Sequence, residues 1–194
     1  SEFEIDILIL AENRISPQSL ASVINVGAQS RYSIDPFNQK VNIFFKDDII
    51  KSSFVADHRN YSSREVSSPL GEKFLLIAAH LPSKIYQREG DQSYIASDFA
   101  AWIRINEERV KHDRTLVSAG GIHAMMDRRI LKRSSRIVNE VEYPFFYNPM
   151  WNHFGDAEGI PGTYYYNNSK YINYFWNIFD QVLIRPSLLP RIPL

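Results

Sequence analysis

The sequence contains no cysteine among its 194 residues. Disulfide bonds and thiolate metal sites are therefore excluded. A chain without thiols is compatible with oxidising and reducing environments alike. The composition thus leaves the compartment open, with the cytoplasm as the default expectation.

Neither sign of charge is in excess, because 22 basic side chains balance 22 acidic ones. Without a global field that attracts polyanions, binding to nucleic acid would need a local basic patch. The chain also lacks a secretory signal and an apolar run of about 18 residues, so no segment is predicted to span a membrane. Its length and hydrophobic content of 44% predict one core, most simply a single domain over residues 1–194.

Three common catalytic motifs are absent from the sequence. There is no His-Glu-x-x-His spacing, no glycine-rich phosphate loop and no Gly-x-Ser-x-Gly elbow. A zinc protease is therefore disfavoured. The sequence likewise gives no indication of a function that uses a glycine-rich phosphate loop or a Gly-x-Ser-x-Gly elbow.

The most informative segment that is present is an apolar run at residues 74–79, which stops at His80 and is followed by Pro82. Six consecutive apolar residues are typical of a strand buried on both faces, and proline lacks the N–H needed to continue a ladder. Polar residues in loops at strand ends are disproportionately functional. A structural histidine at a sheet edge is the alternative.

Two other segments have the same form. Residues 5–11 are an apolar run that ends at Glu12, and residues 175–184 are predicted to form a strand with Asp180 inside it. A carboxylate in a buried strand must be paired, coordinated or neutralised, because an isolated buried charge is costly. A glutamate, a histidine and an aspartate are thus each predicted to lie at or in a core strand.

Together, these segments resemble the endonuclease/exonuclease/phosphatase superfamily, the metal-dependent phosphodiesterases typified by pancreatic deoxyribonuclease. Residues 6–12 match its Asp-Ile-Leu-x-Leu-x-Glu strand, residues 80–83 match its His-Leu-x-Ser segment, and residues 180–183 match its Asp-x-Val/Ile-Leu strand. The resemblance covers about residues 5–190. It implies an α/β fold: a four-layer α/β/β/α sandwich of two central sheets flanked by helices, here incomplete at both ends.

The resemblance also implies roles for the three residues. Glu12 would bind Mg²⁺ or Mn²⁺, and His80 would act in catalysis by hydrogen-bonding the phosphate or protonating the leaving oxygen. Asp180 would act in catalysis by orienting a second histidine. We therefore expect Glu12, His80 and Asp180 to converge at one end of the sandwich.

The superfamily's Gly-Asp-Phe-Asn motif is not found in its expected place, after the strand predicted at residues 115–117. We expect this strand to end at Val117, with the motif missing between Val117 and Ser118. The alternative aligns residues 120–123 with the motif, which puts glycine in place of its aspartate and His123 in place of its asparagine. The active-site asparagine of the first strand and the closing Ser-Asp-His are also absent from the sequence.

The densest positive run lies between residues 127 and 136. Its cations recur at helical spacing and are predicted to line one helical face: Arg129, Lys132, Arg133 and Arg136. A solvated face is one interpretation, and contact with a phosphate backbone is the other.

Two further patterns concern packing. Apolar residues at helical spacing predict a helix over residues 93–111 with a core-facing stripe, and Ser16-Pro17 predicts a helix start. Aromatic residues concentrate at 143–151 and 164–176. We interpret them as core and sheet packing, with base stacking as the alternative.

The function indicated by these features is metal-dependent phosphodiester hydrolysis, with DNA or RNA as the expected substrate and partner. Two alternatives stay open. One is a phosphoesterase acting on phosphoinositide or phospholipid. The other is a catalytically degenerate member of the superfamily that serves as a binding or regulatory module, as a subunit or domain of a larger assembly.

Overall fold

Two β-sheets packed face to face form the centre of the protein. The computed structural model describes residues 5–27, 31–35, 40–82, 89–120, 136–138, 141–143, 146–150, 162–165 and 176–191. Its strands are β1 (Ile7–Ala11), β2 (Tyr32–Asp35), β3 (Val41–Lys46), β4 (Lys51–Asp57), β5 (Tyr61–Ser67), β6 (Lys73–His80), β7 (Thr115–Gly120), β8 (Arg136–Val138), β9 (Val141–Tyr143), β10 (Tyr164–Tyr165), β11 (Trp176–Asn177) and β12 (Gln181–Ile184). Its helices are α1 (Pro17–Ile24), α2 (Glu89–Val110) and a 3-10 helix at Pro186–Arg191.

The smaller central sheet has the strand order β1-β3-β2, and the larger has the order β12-β7-β6-β5-β4. All of their strand pairs are antiparallel except β6 and β7, which run parallel and are connected through α2. A parallel pair needs such a crossover, since a tight hairpin can only reverse the chain. The predicted α/β sandwich is confirmed.

Strand β6 is buried on both faces, as its apolar run predicts. Leu76 and Ala78 pack against the smaller sheet, together with Val41, Ile43 and Phe45 of β3. The alternate residues of β6, Leu75, Ile77 and Ala79, pack on the opposite face with Phe99 and Ile103 of α2. Side chains of a strand alternate between faces, so a strand between two apolar layers must be apolar throughout.

Both predicted helices are present. Ser16 caps α1, because its hydroxyl oxygen accepts a hydrogen bond from the backbone N–H of Ser19 at 3.1 Å, and Pro17 is the first helical residue. Helix α2 begins at Glu89, four residues before the predicted start, and its apolar stripe faces the larger sheet. Among the described residues, no helix combines the length and apolar character needed to cross a membrane.

A buried ion pair fixes the last part of α2 to the end of β12. Nε and Nη2 of Arg185 each lie 2.8 Å from a different oxygen of Glu107. The Thr115 hydroxyl donates to the same carboxylate at 2.7 Å, and the Arg185 guanidinium lies 4.0 Å from the centre of the Phe146 ring. The charges are therefore paired and hydrogen-bonded, which buried charges require.

Strand β7 is longer than expected. It continues through Ser118 to Gly120, and its pairing with β6 passes from Ile77↔Val117 to Ala78↔Ser118 without a shift. The pairing with β12 is equally continuous there. The prediction that the strand ends at Val117 is therefore wrong. Gly120 instead ends the strand, where the alternative alignment puts the first residue of the motif.

Two local predictions also need correction. Asp180 lies in a bend before β12, and its side chain is exposed rather than buried inside a strand. Arg136 begins strand β8, so the predicted helical face does not extend to it. Residues 129–133 lie outside the described part of the chain.

Candidate active site at the His80 edge

Four chain segments meet at one edge of the two sheets. Strand β6 ends at His80, β7 ends at Gly120, β12 begins after Asp180, and β1 is followed by Glu12. His80 pairs with Gly120 in the parallel register of β6 and β7. We call this region, formed by Glu12, His80, Gly120 and Asp180, the His80 edge. Ligands of open α/β sheets characteristically bind at the carboxyl ends of strands.

His80 and Glu12 contact each other across the two sheets. Nε2 of His80 lies 3.1 Å from Oε1 of Glu12. The His80 side chain is 18% exposed, whereas that of Glu12 is 76% exposed. In this pair, the imidazole is therefore mostly buried and the carboxylate is mostly open to solvent.

Glu12 adopts an unusual backbone conformation. Its φ of 54° lies in the left-handed region, which non-glycine residues seldom occupy and which costs on the order of 1 kcal/mol or more. Its N–H nevertheless keeps a hydrogen bond to the carbonyl of Lys40 at 3.3 Å. Strained residues of this kind concentrate at functional sites.

Gly120 leaves room for Asp180 and His80 to come close together. A Cβ atom at position 120 would lie 3.0 Å from Oδ1 of Asp180 and 3.6 Å from Nδ1 of His80. Asp180 and His80 therefore border the space that a side chain at position 120 would fill. The expected convergence of Glu12, His80 and Asp180 is observed, because Glu12 contacts His80 and both His80 and Asp180 border Gly120.

Thr163 supports Asp180 and was not foreseen from the sequence. Its hydroxyl oxygen accepts hydrogen bonds from the backbone N–H groups of Phe179 and Asp180, at 3.0 and 3.1 Å. Tyr164 follows Thr163, is 46% exposed, and has its ring centre 5.1 Å from that of Phe179. Tyr164 and the 49% exposed Tyr165 form β10 and pair with β11, so they belong to a sheet and not to the buried core. A lone threonine in a glycine- and proline-containing loop carries no sequence signal for this role.

Comparison with solved structures identifies proteins of the same fold. The catalytic domain of human Nocturnin with bound sulfate anion matches with a TM-score of 0.58 and 13% identity, over 93% of this chain and 69% of that chain. D. rerio TDP2 humanized by 14 mutations matches with a TM-score of 0.56 and 12% identity, over 93% of this chain and 70% of that chain. D. rerio TDP2 complexed with single strand DNA product matches with a TM-score of 0.51 and 13% identity, over 93% and 70%. The chain shares the fold of these proteins, in agreement with the fold that the resemblance to the endonuclease/exonuclease/phosphatase superfamily implies. No family model and no curated protein matches it in sequence.

The cation that the resemblance implies would have few ligands at the His80 edge. Among the described residues, no group of three or more histidine, aspartate or glutamate side chains is arranged to hold a metal ion. Mg²⁺ commonly binds through only one or two carboxylates, with water and substrate phosphate as its other ligands. The exposed carboxylate of Glu12 fits this mode of binding.

Proposed function

We propose that the protein is a divalent-metal-assisted phosphodiester hydrolase that acts on nucleic acid. The observation that carries this proposal is the meeting of Glu12, His80 and Asp180 at one edge of the superfamily fold. Two neighbours support the substrate class, since one TDP2 structure holds a single-stranded DNA product and the Nocturnin structure holds a sulfate anion.

Glu12 is the residue that would hold Mg²⁺ or Mn²⁺, because its carboxylate is an oxygen ligand open to solvent. When bound, the cation stabilises negative charge that builds up on the phosphoryl oxygens. The left-handed backbone of Glu12 fixes the position of this carboxylate at the end of β1.

His80 would act on the phosphate itself. In the structure its Nε2 contacts Glu12, and a bound phosphate oxygen would replace Glu12 as the partner of this nitrogen. The imidazole would then donate a proton to the leaving oxygen, a role that histidine commonly has as a general acid. Asp180 would act as a positioning residue on the Nδ1 side of the ring. This differs from the role that the superfamily resemblance implies, where the aspartate orients a second histidine.

A second candidate function is a phosphodiester-binding module without turnover. Because β7 runs continuously to Gly120, the aspartate position of Gly-Asp-Phe-Asn corresponds to Gly121 in this sequence. A glycine supplies no carboxylate for activating water. The glycine at position 121 therefore favours the binding module over the hydrolase.

Two substitutions test the proposed roles. Glu12→Gln keeps the shape of the side chain but removes its charge, so Mn²⁺ affinity measured by calorimetry should fall roughly tenfold or more. His80→Ala should leave that affinity close to the wild-type value and slow cleavage of a labelled oligonucleotide by roughly 10²- to 10⁴-fold. Glu108→Gln, at an exposed position on α2, is the matched control and should change neither quantity.

The outcomes separate the two candidates. Unchanged Mn²⁺ affinity in Glu12→Gln would remove Glu12 from metal binding, and full activity in His80→Ala would remove His80 from the chemistry. If the wild-type protein binds the oligonucleotide but never cleaves it, the binding module replaces the hydrolase.

A further inference from the structure

A cationic hairpin lies beside His80. Strands β4 and β5 are connected by His58, Arg59 and Asn60, and the turn is closed by hydrogen bonds between the backbones of His58 and Tyr61, at 2.9 and 3.3 Å. The carbonyl of Asn60 accepts a hydrogen bond from the N–H of His80 at 2.9 Å. Arg59 is therefore one residue away from a direct contact with the candidate catalytic histidine.

The base of this hairpin is firmly packed. Tyr61 is 2% exposed, and its ring centre lies 4.7 Å from those of both His58 and Phe99. Trp102 of α2 adds a further ring contact with Tyr61 at 5.8 Å. Arg59 itself is exposed and lies in the turn between His58 and Tyr61, next to the residue whose carbonyl binds the N–H of His80.

A second exposed arginine belongs to the same edge. Arg14 follows Glu12 by two residues, in the connection between β1 and α1. In the parts of the chain that the structure describes, no ion pair with a carboxylate involves Arg14 or Arg59. Arg14 thus lies on the chain segment of Glu12, and Arg59 lies on the hairpin whose Asn60 carbonyl is hydrogen-bonded to the N–H of His80. An arginine fork suits bidentate binding to phosphate.

We propose that Arg59 and Arg14 bind backbone phosphates on the two sides of the scissile phosphate, so that the substrate is a single nucleic-acid strand crossing the His80 edge. This inference rests on the proposed function, because it takes the Glu12–His80 contact as the reacting centre. It assigns the phosphate contacts to two arginines at the described edge, whereas the sequence pattern pointed to the basic run at residues 129–136.

The test is the salt dependence of binding, measured by fluorescence anisotropy with a labelled single-stranded oligonucleotide in EDTA. Each lost phosphate contact reduces the slope of log K against log salt by about 0.7 for a single strand. We expect Arg59→Gln to reduce the slope by this amount and to weaken binding roughly tenfold. The double variant Arg14→Gln/Arg59→Gln should reduce the slope by about twice as much.

Arg109→Gln is the matched control, since Arg109 is an exposed arginine in the last turn of α2, at the far end of the crossover from His80. It should bind with the wild-type slope, and thermal melting should show that all variants are folded. An Arg59→Gln slope equal to that of Arg109→Gln would overturn the inference. Binding to phosphoinositide vesicles but not to the oligonucleotide would also overturn it.

Because EDTA removes the cation that turnover would require, this experiment does not depend on catalysis. A protein that binds with the expected slopes but fails to cleave would contradict the proposed hydrolase and leave the two arginine contacts standing. If the wild-type protein cleaves the oligonucleotide but Arg59→Gln has an unchanged salt slope, the hydrolase stands and the arginine contacts are contradicted.

Discussion

At the scale of single residues, the His80 edge depends on the absence of one side chain. Gly120 is the point where β7 reaches the edge, and a Cβ there would press directly on Asp180 at 3.0 Å. That separation is tighter than ordinary van der Waals contact, so the carboxylate would have to move. The positions of Asp180 and His80 are thus coupled to the identity of residue 120.

We predict that Gly120→Ala displaces the Asp180 carboxylate by a few tenths of an ångström and slows oligonucleotide cleavage by less than the roughly 10²-fold loss expected from a misplacement of about 1 Å. Gly71→Ala is the control, because it should affect stability without affecting the site. Gly71 has a φ of 78°, and a Cβ added to it would meet no atom within 4 Å, so alanine there strains the backbone without touching the site. Its melting temperature should fall while its activity is retained. Equal activity in the two variants would show that Gly120 has no role in positioning.

Thr163 provides a second test at this scale. Thr163→Val has a similar shape but lacks the oxygen that accepts hydrogen bonds from the N–H groups of Phe179 and Asp180. We expect kcat/KM for the oligonucleotide to fall roughly tenfold or more, since each such hydrogen bond contributes about 1 kcal/mol. Thr163→Ser keeps the oxygen and should restore activity. If serine fails to do so, Thr163 acts through packing alone.

At the scale of secondary-structure elements, α2 is fixed to the larger sheet by the buried pair of Arg185 and Glu107. We predict that Glu107→Leu lowers the free energy of unfolding by about 3 to 5 kcal/mol, because it leaves a buried guanidinium without its partner. The double variant Glu107→Leu/Arg185→Met should recover most of this loss, because both charges are then removed. Urea unfolding measures both values. A double variant no more stable than Glu107→Leu would show that the charge itself is not the cause.

The aromatic base of the β4–β5 hairpin predicts a pH dependence. Burial, with a smaller contribution from Asp98, raises the pKa of Tyr61 from 10.0 to about 12. The neutral phenol is therefore favoured in the folded state. Its contribution to stability is complete below pH 10 and is lost as the pH rises towards 12.

We expect the difference in free energy of unfolding between wild type and Tyr61→Phe to change by about 2 to 3 kcal/mol across this interval. Denaturant titrations of both proteins between pH 9 and pH 12 measure it, with the other tyrosines cancelling in the comparison. A difference that stays constant with pH would contradict a raised pKa.

Some elements could be predicted from the sequence because their patterns are strong. Strand β6 is buried between two layers, and the apolar stripe of α2 is buried against the larger sheet. Burial restricts these positions to apolar residues, which gives the sequence its recognisable pattern. Strand β7 was underestimated because Ser118 and Gly120 interrupt its apolar pattern, although pairing on both sides holds them in the ladder. Asp180 was expected inside a strand because its neighbours are apolar, but the chain bends before β12.

The same reasoning explains which parts of the candidate site were missed. Glu12 and His80 end apolar runs, so a local signal marks them. Thr163 and Arg59 are isolated polar residues in loops, and only tertiary pairing brings them to the His80 edge. Their contribution depends on hydrogen bonds between segments that are distant in sequence, which no local pattern encodes.

At the scale of the whole molecule, the balanced charge means that any attraction for a polyanion must be local. The fold brings the ends of β1, β6 and β7 together, and the exposed Arg14 and Arg59 lie in the connections that follow β1 and β4. One fold supports many functions, so the side chains at the His80 edge decide the chemistry.

The most direct test of phosphodiester hydrolysis is to incubate a single-stranded oligonucleotide with the wild-type protein and Mg²⁺ in ¹⁸O-labelled water, and to weigh the products by mass spectrometry. We predict Mg²⁺-dependent cleavage in which each new phosphate end carries one heavy oxygen, and we predict that His80→Ala nearly abolishes it. An oligonucleotide that remains intact with the wild-type protein, or cleavage that is equally fast in His80→Ala, would contradict hydrolysis at this site.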